Sequence, residues 1–158
     1  MARAVARVLG MGPGDVDAVG YVAAIRDLGM TPLRDLLWHP RPLDDDERHA
    51  LMQHPEAGVE MIRPLEYLGS ARELILSHHE RWDGTGYPRR LQGPEIPLGA
   101  RILAVVDAYE SMTCGRPYRA ARNVVEAMAE LHREAGRQFD PEVVDAFARV
   151  QGDERVAA

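Results

Sequence analysis

The chain has 158 residues with a net charge of −6, so it fits one ordinary domain and does not resemble a general nucleic-acid binder, which is usually basic. Its single cysteine, Cys114, excludes an internal disulfide and suits a reducing compartment, and no apolar run is long enough to span a bilayer. These features predict a cytoplasmic domain without membrane or nucleic-acid partners.

Helical spacing of apolar residues dominates the chain from end to end. Two sequence patterns mark helix starts, Asp44 with Glu47 and Asn123 with Glu126, because each pairs a capping side chain with a glutamate three residues on. Predicted helices cover 15–29, 43–54, 58–69, 70–80, 97–112, 123–136 and 140–150. The prediction is an all-α bundle of about seven helices in one domain over 1–158. The most apolar segment, 97–112, is placed at its centre and 151–158 is expected to be a disordered tail.

Two segments depart from this regular pattern. The loop from Glu80 to Pro97 is rich in glycine and proline, and loops of that length are often functional. The first segment, "ARAVARVLG", has helical spacing but no capping residue ahead of it. We interpret this as a chain that begins inside a larger domain; a frayed first helix is the alternative.

The stretch "SHHERWDGTGYP", Ser77 to Pro88, contains two adjacent histidines. Neighbouring side chains on an α-helix point about 100° apart, so a helix would not bring both imidazoles to one point. Further along the chain come "IPLGARILAVVDAYESMT", "RPYR" and "FDPEVVDAF". Together these segments closely resemble the HD-GYP family, and the resemblance extends from about residue 3 to residue 150.

This resemblance implies an HD-type helical bundle that hydrolyses the bacterial second messenger cyclic di-GMP. It also implies two or three metal ions, often iron or manganese, held by histidine and aspartate; imidazole and carboxylate suit iron, manganese or zinc. The residues that match the family's metal ligands are Asp27, His54, His78, His79 and Asp107. Asp27, the aspartate of the family's His-Asp pair, is also the predicted catalytic residue.

The resemblance implies substrate-binding residues as well. Tyr87 belongs to the Gly-Tyr-Pro motif and is expected at the mouth of the pocket. Arg116 and Arg119 of "RPYR" match the family's basic pair, and guanidinium groups suit phosphate because they bind it bidentately. The implied partners are cyclic di-GMP or a related cyclic dinucleotide, and a diguanylate cyclase or another signalling protein at the loop. A homodimer is a further alternative.

One motif departs from the family. Where the family has "LHDIGK", this chain has "IRDLGM", so Arg26 replaces a metal-binding histidine and Met30 replaces a lysine. An arginine stays protonated and cannot bind a metal ion. Arg26 either forms an ion pair with Asp27 or Asp107, in place of the lost metal's charge, or turns to the surface without a role. We expect the former, and at most one bound ion.

The departure leaves three functional hypotheses. The first, which we favour, is a degenerate HD-GYP signalling domain that binds a nucleotide or a protein partner with weak or no hydrolysis. The second is an active metal-dependent cyclic di-GMP phosphodiesterase. The third is a structural output domain that binds no ligand. Metal analysis together with a hydrolysis assay would separate them.

Overall fold

The computed structural model describes residues 1–37, 41–65, 69–114 and 121–156, apart from the side chains of residues 34, 37 and 153–156. Its α-helices are α1 Ala2–Val8, α2 Pro13–Ile25, α3 Arg34–Leu37, α4 Asp45–Met52, α5 His54–Ile62, α6 Gly69–Ser77, α7 Leu98–Thr113, α8 Val124–Arg133 and α9 Pro141–Val156. Short 3-10 helices cover Leu28–Leu33 and Gly93–Glu95. Within the described ranges there is no strand, only an isolated bridge between Ala135 and Phe139. The predicted all-α class is confirmed.

Helix α7 lies at the centre of the bundle, as its apolar sequence predicts. It packs against α1, α2, α6, α8 and α9. Ile102, Leu103 and Val105 are almost completely buried along it. Each such aliphatic side chain contributes about 1.5–3 kcal/mol when fully buried. Because α7 is packed on several sides, it fixes the position of Asp107, which lies on it.

The helix ends next to the histidines differ from the sequence prediction. The helix predicted over 58–69 instead spans His54–Ile62. Arg63 still has helical backbone angles, but Pro64 has no N–H to donate to the preceding turn, so the helix does not continue through it. Helix α6 ends at Ser77, so His78 and His79 lie in the turn that follows it. Since they are outside the helix, the two imidazoles are not bound to helical spacing and can approach one point.

The remaining element ends follow their sequence signals. Asp44 and Asn123 cap α4 and α8, each within a complete capping box. The predicted loop contains no α-helix between Ser77 and Leu98. Helix α9 includes residues 151–156, where the sequence predicts a tail, because only Gly152 in that stretch opposes helical backbone. None of the described helices has the length and apolar content that a membrane span requires.

Candidate metal centre

Three separate helix ends bring the candidate ligands together. Asp27 follows α2, His54 is the first residue of α5, and His78 and His79 follow α6. The turn after α2 lies against α5 because residue 29 has no side chain: a Cβ at Gly29 would be 2.0 Å from the His54 carbonyl oxygen. Gly29 is thus required for the close approach of Asp27 to His54.

One ligand atom from each of Asp27, His54, His78 and His79 lies within 4.8 Å of the other three. Asp27 Oδ1 is 3.8 Å from His54 Nε2 and 3.7 Å from His78 Nε2. The His79 ring centroid is 4.1 Å from that of His78 and 4.9 Å from that of His54. Three imidazoles and one carboxylate form a ligand set that suits zinc, iron or manganese.

The hydrogen bonds of His54 and His78 fix which ring nitrogen is free. His54 Nδ1 lies 2.7 Å from the Leu51 carbonyl oxygen, and His78 Nδ1 lies 2.5 Å from that of Ile75. A carbonyl only accepts, so each Nδ1 donates and each neutral ring keeps its lone pair on Nε2. The two Nε2 atoms are only 3.2 Å apart. At this separation both Nε2 lone pairs can be directed at one metal ion.

His79 also has a ring nitrogen available for a metal ion, but for a different reason. Its Nε2 is buried and has no hydrogen-bond partner among the described residues. Burial, with smaller contributions from His78 and His54, lowers the pKa of His79 to about 3. Burial also lowers the pKa of His54. Both rings are therefore neutral at neutral pH, as metal ligation requires.

Arg26 forms the ion pair that the sequence suggested, and its side chain is only 13% exposed. Its Nη2 donates to Asp107 Oδ1 and lies 3.9 Å from Glu110 Oε2, while its Nε is 3.5 Å from Asp27 Oδ2. Burial alone would lower the pKa of Arg26, but Asp107, Asp27 and Glu110 outweigh that effect and raise it. Arg26 is a permanent cation beside the histidines, and Asp107 is paired with it.

Asp27 lies between the three histidines and the ion pair of Arg26 with Asp107. Burial alone would raise its pKa, but His78 and Arg26 outweigh that effect and lower it. The carboxylate is therefore ionised at neutral pH. One of its oxygens faces the histidines and the other faces Arg26.

Of the predicted substrate residues, the described part of the chain contains Tyr87. Its ring stacks on His79 with a centroid distance of 4.9 Å and an interplanar angle of 20°. Burial, more than the nearby acids, raises the pKa of Tyr87, so its hydroxyl stays protonated. Arg116 and Arg119 lie outside the described residues. A cavity of about 360 Å³ adjoins the cluster and is lined by His79, Asp107 and Arg122, among others.

Two acidic residues of the site were not singled out from the sequence. Glu110 is one turn beyond Asp107 on α7, and this spacing could have indicated that both face Arg26. Glu80 directly follows the histidine pair and is 3% exposed. A buried carboxylate has no signature in a single sequence, because acidic residues are mostly exposed.

The fold and the site together define an all-α helical domain with a candidate metal centre of three histidines and one aspartate, drawn from three helix ends. The family model described as "HD domain" matches residues 1–143. The chain therefore belongs to the HD domain family, and the family resemblance predicted from its motifs is confirmed.

Named relatives agree with this assignment. The chain is 37% identical over 152 residues to the cyclic di-GMP phosphodiesterase response regulator RpfG of Xanthomonas campestris, covering 94% of this chain and 40% of that protein. It is 32% identical over 143 residues to 3'3'-cGAMP-specific phosphodiesterase 2 of Vibrio cholerae, covering 89% of this chain and 27% of the relative. The chain thus spans less than half the length of these relatives.

A solved structure shares the fold. The cyclic GMP-AMP-specific phosphodiesterase V-cGAP3 of Vibrio cholerae superposes with a TM-score of 0.76 at 17% identity. The match covers 98% of this chain and 42% of that one. At this identity the likeness supports the architecture alone.

Proposed function

We propose that this chain is a cyclic-dinucleotide-binding signalling domain with one divalent metal centre and weak or no phosphodiester hydrolysis. The family assignment supports the substrate class, because relatives of this chain bear names that refer to cyclic di-GMP and to cGAMP. The cluster of Asp27, His54, His78 and His79 supports the metal centre.

The observation that carries the proposal is the ion pair between Arg26 and Asp107. It engages a carboxylate that the family resemblance assigns to metal binding. It also fixes a positive charge beside the histidines, where a second divalent ion would be repelled. One ion at the histidine cluster is therefore favoured over two.

A divalent ion held by the cluster would act as a Lewis acid toward a phosphate oxygen. Asp27 supplies the negative charge that partly neutralises that ion. Arg26 reduces this contribution, because it competes for the same carboxylate from the opposite side. Tyr87 stacks on one face of the His79 ring and so restricts how that ring can turn. Arg116 and Arg119 remain our proposed contacts for the phosphates.

An active cyclic di-GMP phosphodiesterase is the second candidate. Two observations favour it. His54 and His79 are neutral at neutral pH, and Nε2 of His79 has no hydrogen-bond partner among the described residues, so both rings can bind a metal ion. A diguanylate cyclase or other partner protein at the loop, a homodimer and a cytoplasmic location stay predictions.

The test measures metal content and nucleotide chemistry on the same sample. Purified chain is loaded with Mn²⁺, Fe²⁺ or Zn²⁺, and bound metal is counted after desalting. Cyclic di-GMP and cGAMP are then tested for binding by calorimetry and for hydrolysis by chromatography. We expect at most one tightly held ion per chain and binding with little turnover. Two or more tightly held ions with rapid turnover would establish the active enzyme instead.

A further inference from the structure

Glu80 is a buried carboxylate that the proposed function does not use. It directly follows the histidine pair and is 3% exposed. Oε1 accepts the backbone N–H of Arg89 at 2.7 Å, and Oε2 accepts that of Leu91 at 3.1 Å. Bonds of this kind to a charged acceptor are about twice as strong as neutral ones. Both donors lie just beyond Tyr87 in the loop.

The loop is also held to the backbone of residues 79–81. A Cβ at Gly86 would be 2.3 Å from the backbone nitrogen of Arg81, so only glycine permits this approach. The next residue, Tyr87, donates its backbone N–H to the His79 carbonyl oxygen at 3.3 Å. Tyr87 is therefore fixed on one side by the backbone at 79–81 and on the other by the carboxylate of Glu80.

His79 depends on this arrangement more than the other two histidines do. His54 and His78 are oriented by bonds from Nδ1 to backbone carbonyls one helical turn earlier. Among the described residues, His79 has no such bond, and its ring packs against Tyr87, His54 and His78. Of the ring contacts that His79 makes within the described residues, the one with Tyr87 comes from outside the ligand cluster.

We propose that Glu80 is a positioning residue: it holds Tyr87 against His79, and so sets the metal affinity of the centre. Groups that orient a metal ligand typically change metal affinity about 10- to 100-fold when they are removed. The inference rests on the metal centre under the proposed function, and it assigns a metal-tuning role to a residue that touches neither metal nor substrate.

The test uses the full chain and Co²⁺ as the probe, with affinity measured by calorimetry and ligand geometry by the visible absorption spectrum. In Glu80→Gln the amide offers one acceptor oxygen and turns an NH₂ group toward the second N–H. We expect Co²⁺ affinity to fall 10- to 100-fold and the spectrum to change. The matched control is Glu95→Gln, which removes an exposed carboxylate in the same loop whose Oε2 accepts the Gln92 N–H at 2.9 Å. This variant should match the wild type.

A second pair of variants separates positioning from general loosening of the fold. Tyr87→Ala should lose as much affinity as Glu80→Gln, and the double variant should lose no more than either, because both changes act on one path.

The outcomes are distinguishable. A folded Glu80→Gln with wild-type Co²⁺ affinity and spectrum overturns the role of Glu80 while leaving the metal centre standing. If Glu80→Gln does not fold, Tyr87→Ala decides, and wild-type affinity in that variant overturns the inference. A wild-type chain that binds no Co²⁺ overturns the metal centre itself.

Discussion

Replacing Arg26 with glutamine should strengthen metal binding at the histidine cluster. Arg26 Nε lies 3.5 Å from Asp27 Oδ2, and the other oxygen of Asp27 faces the histidines. With a metal–oxygen bond of about 2 Å beyond that carboxylate, a bound ion would lie roughly 6–7 Å from the guanidinium. The substitution removes the positive charge from this distance and keeps a polar side chain of moderate length.

The size of the effect follows from Coulomb's law. Asp27 is 46% exposed, so solvent screens the site substantially. For an effective dielectric constant of about 40–80, one unit charge repels a divalent ion at that distance by about 1–3 kcal/mol. The affinity of Arg26→Gln for Zn²⁺ should therefore rise roughly 10- to 100-fold at low ionic strength. The gain should shrink as salt is added.

The assay is a competition titration against a chelating dye, with metal counted after desalting. Arg26→Lys is the matched control, because it keeps the charge while losing the planar fork; its affinity should stay within about threefold of the wild type. Since Arg26→Gln also frees Asp107 and Glu110, a second, weaker ion is expected in that variant alone. If Arg26→Gln folds and binds Zn²⁺ no more tightly than the wild type, the charge argument is refuted.

Other predictions address protonation, packing and the motif at residues 25–30 that differs from the family. The metal-free chain should lose stability as pH falls from 7 to 5, by up to about 1.4 kcal/mol per pH unit for each buried histidine. The reason is that His54 and His79 have lowered pKa values in the folded state, so the unfolded chain takes up protons first, from about pH 6.5 downward. Urea unfolding in the presence of a chelator measures this, and a flat profile would contradict it. Gly29→Ala should weaken both stability and metal binding, since the new Cβ meets the His54 carbonyl; a folded variant with unchanged Zn²⁺ affinity would contradict the packing argument. Arg26→His combined with Met30→Lys should raise the number of bound Mn²⁺ ions per chain, and an unchanged count in mass spectrometry would show that Arg26 is not what limits it.

The fold could be predicted well from the sequence because local signals agreed with one another. Capping boxes at Asp44 and Asn123 start the helices that the structure has there. The apolar run over 97–112 became the central helix for the expected reason, burial from several sides. Helix boundaries were predicted less accurately next to proline: α5 ends before Pro64, which has no N–H for the next helical hydrogen bond, although the apolar spacing continues.

The site could be predicted less completely, because its chemistry depends on contacts between distant segments. The family resemblance pointed to the histidines and both aspartates, and their assignment as metal ligands stays a prediction. The sequence could not indicate that His54 and His78 direct their Nε2 atoms at each other, since this depends on carbonyl oxygens at two helix ends. Nor could it indicate that Glu80 is buried beneath the loop, because an acidic residue next to a histidine pair is compatible with an exposed turn.

The position of Asp27 explains why one substitution can alter the whole centre. Its two oxygens serve different neighbours, with Oδ1 toward His54 and His78 and Oδ2 toward Arg26. A metal ion at the histidines and the guanidinium at the other side therefore draw on the negative charge of the same carboxylate. Arg26 is permanently protonated, so its attraction for the Asp27 carboxylate does not vary with pH. The identity of residue 26 therefore sets how strongly Asp27 can attract a metal ion. The ion pair with Asp107 strengthens this effect, since it anchors Arg26 beside Asp27 and keeps the guanidinium from turning to solvent.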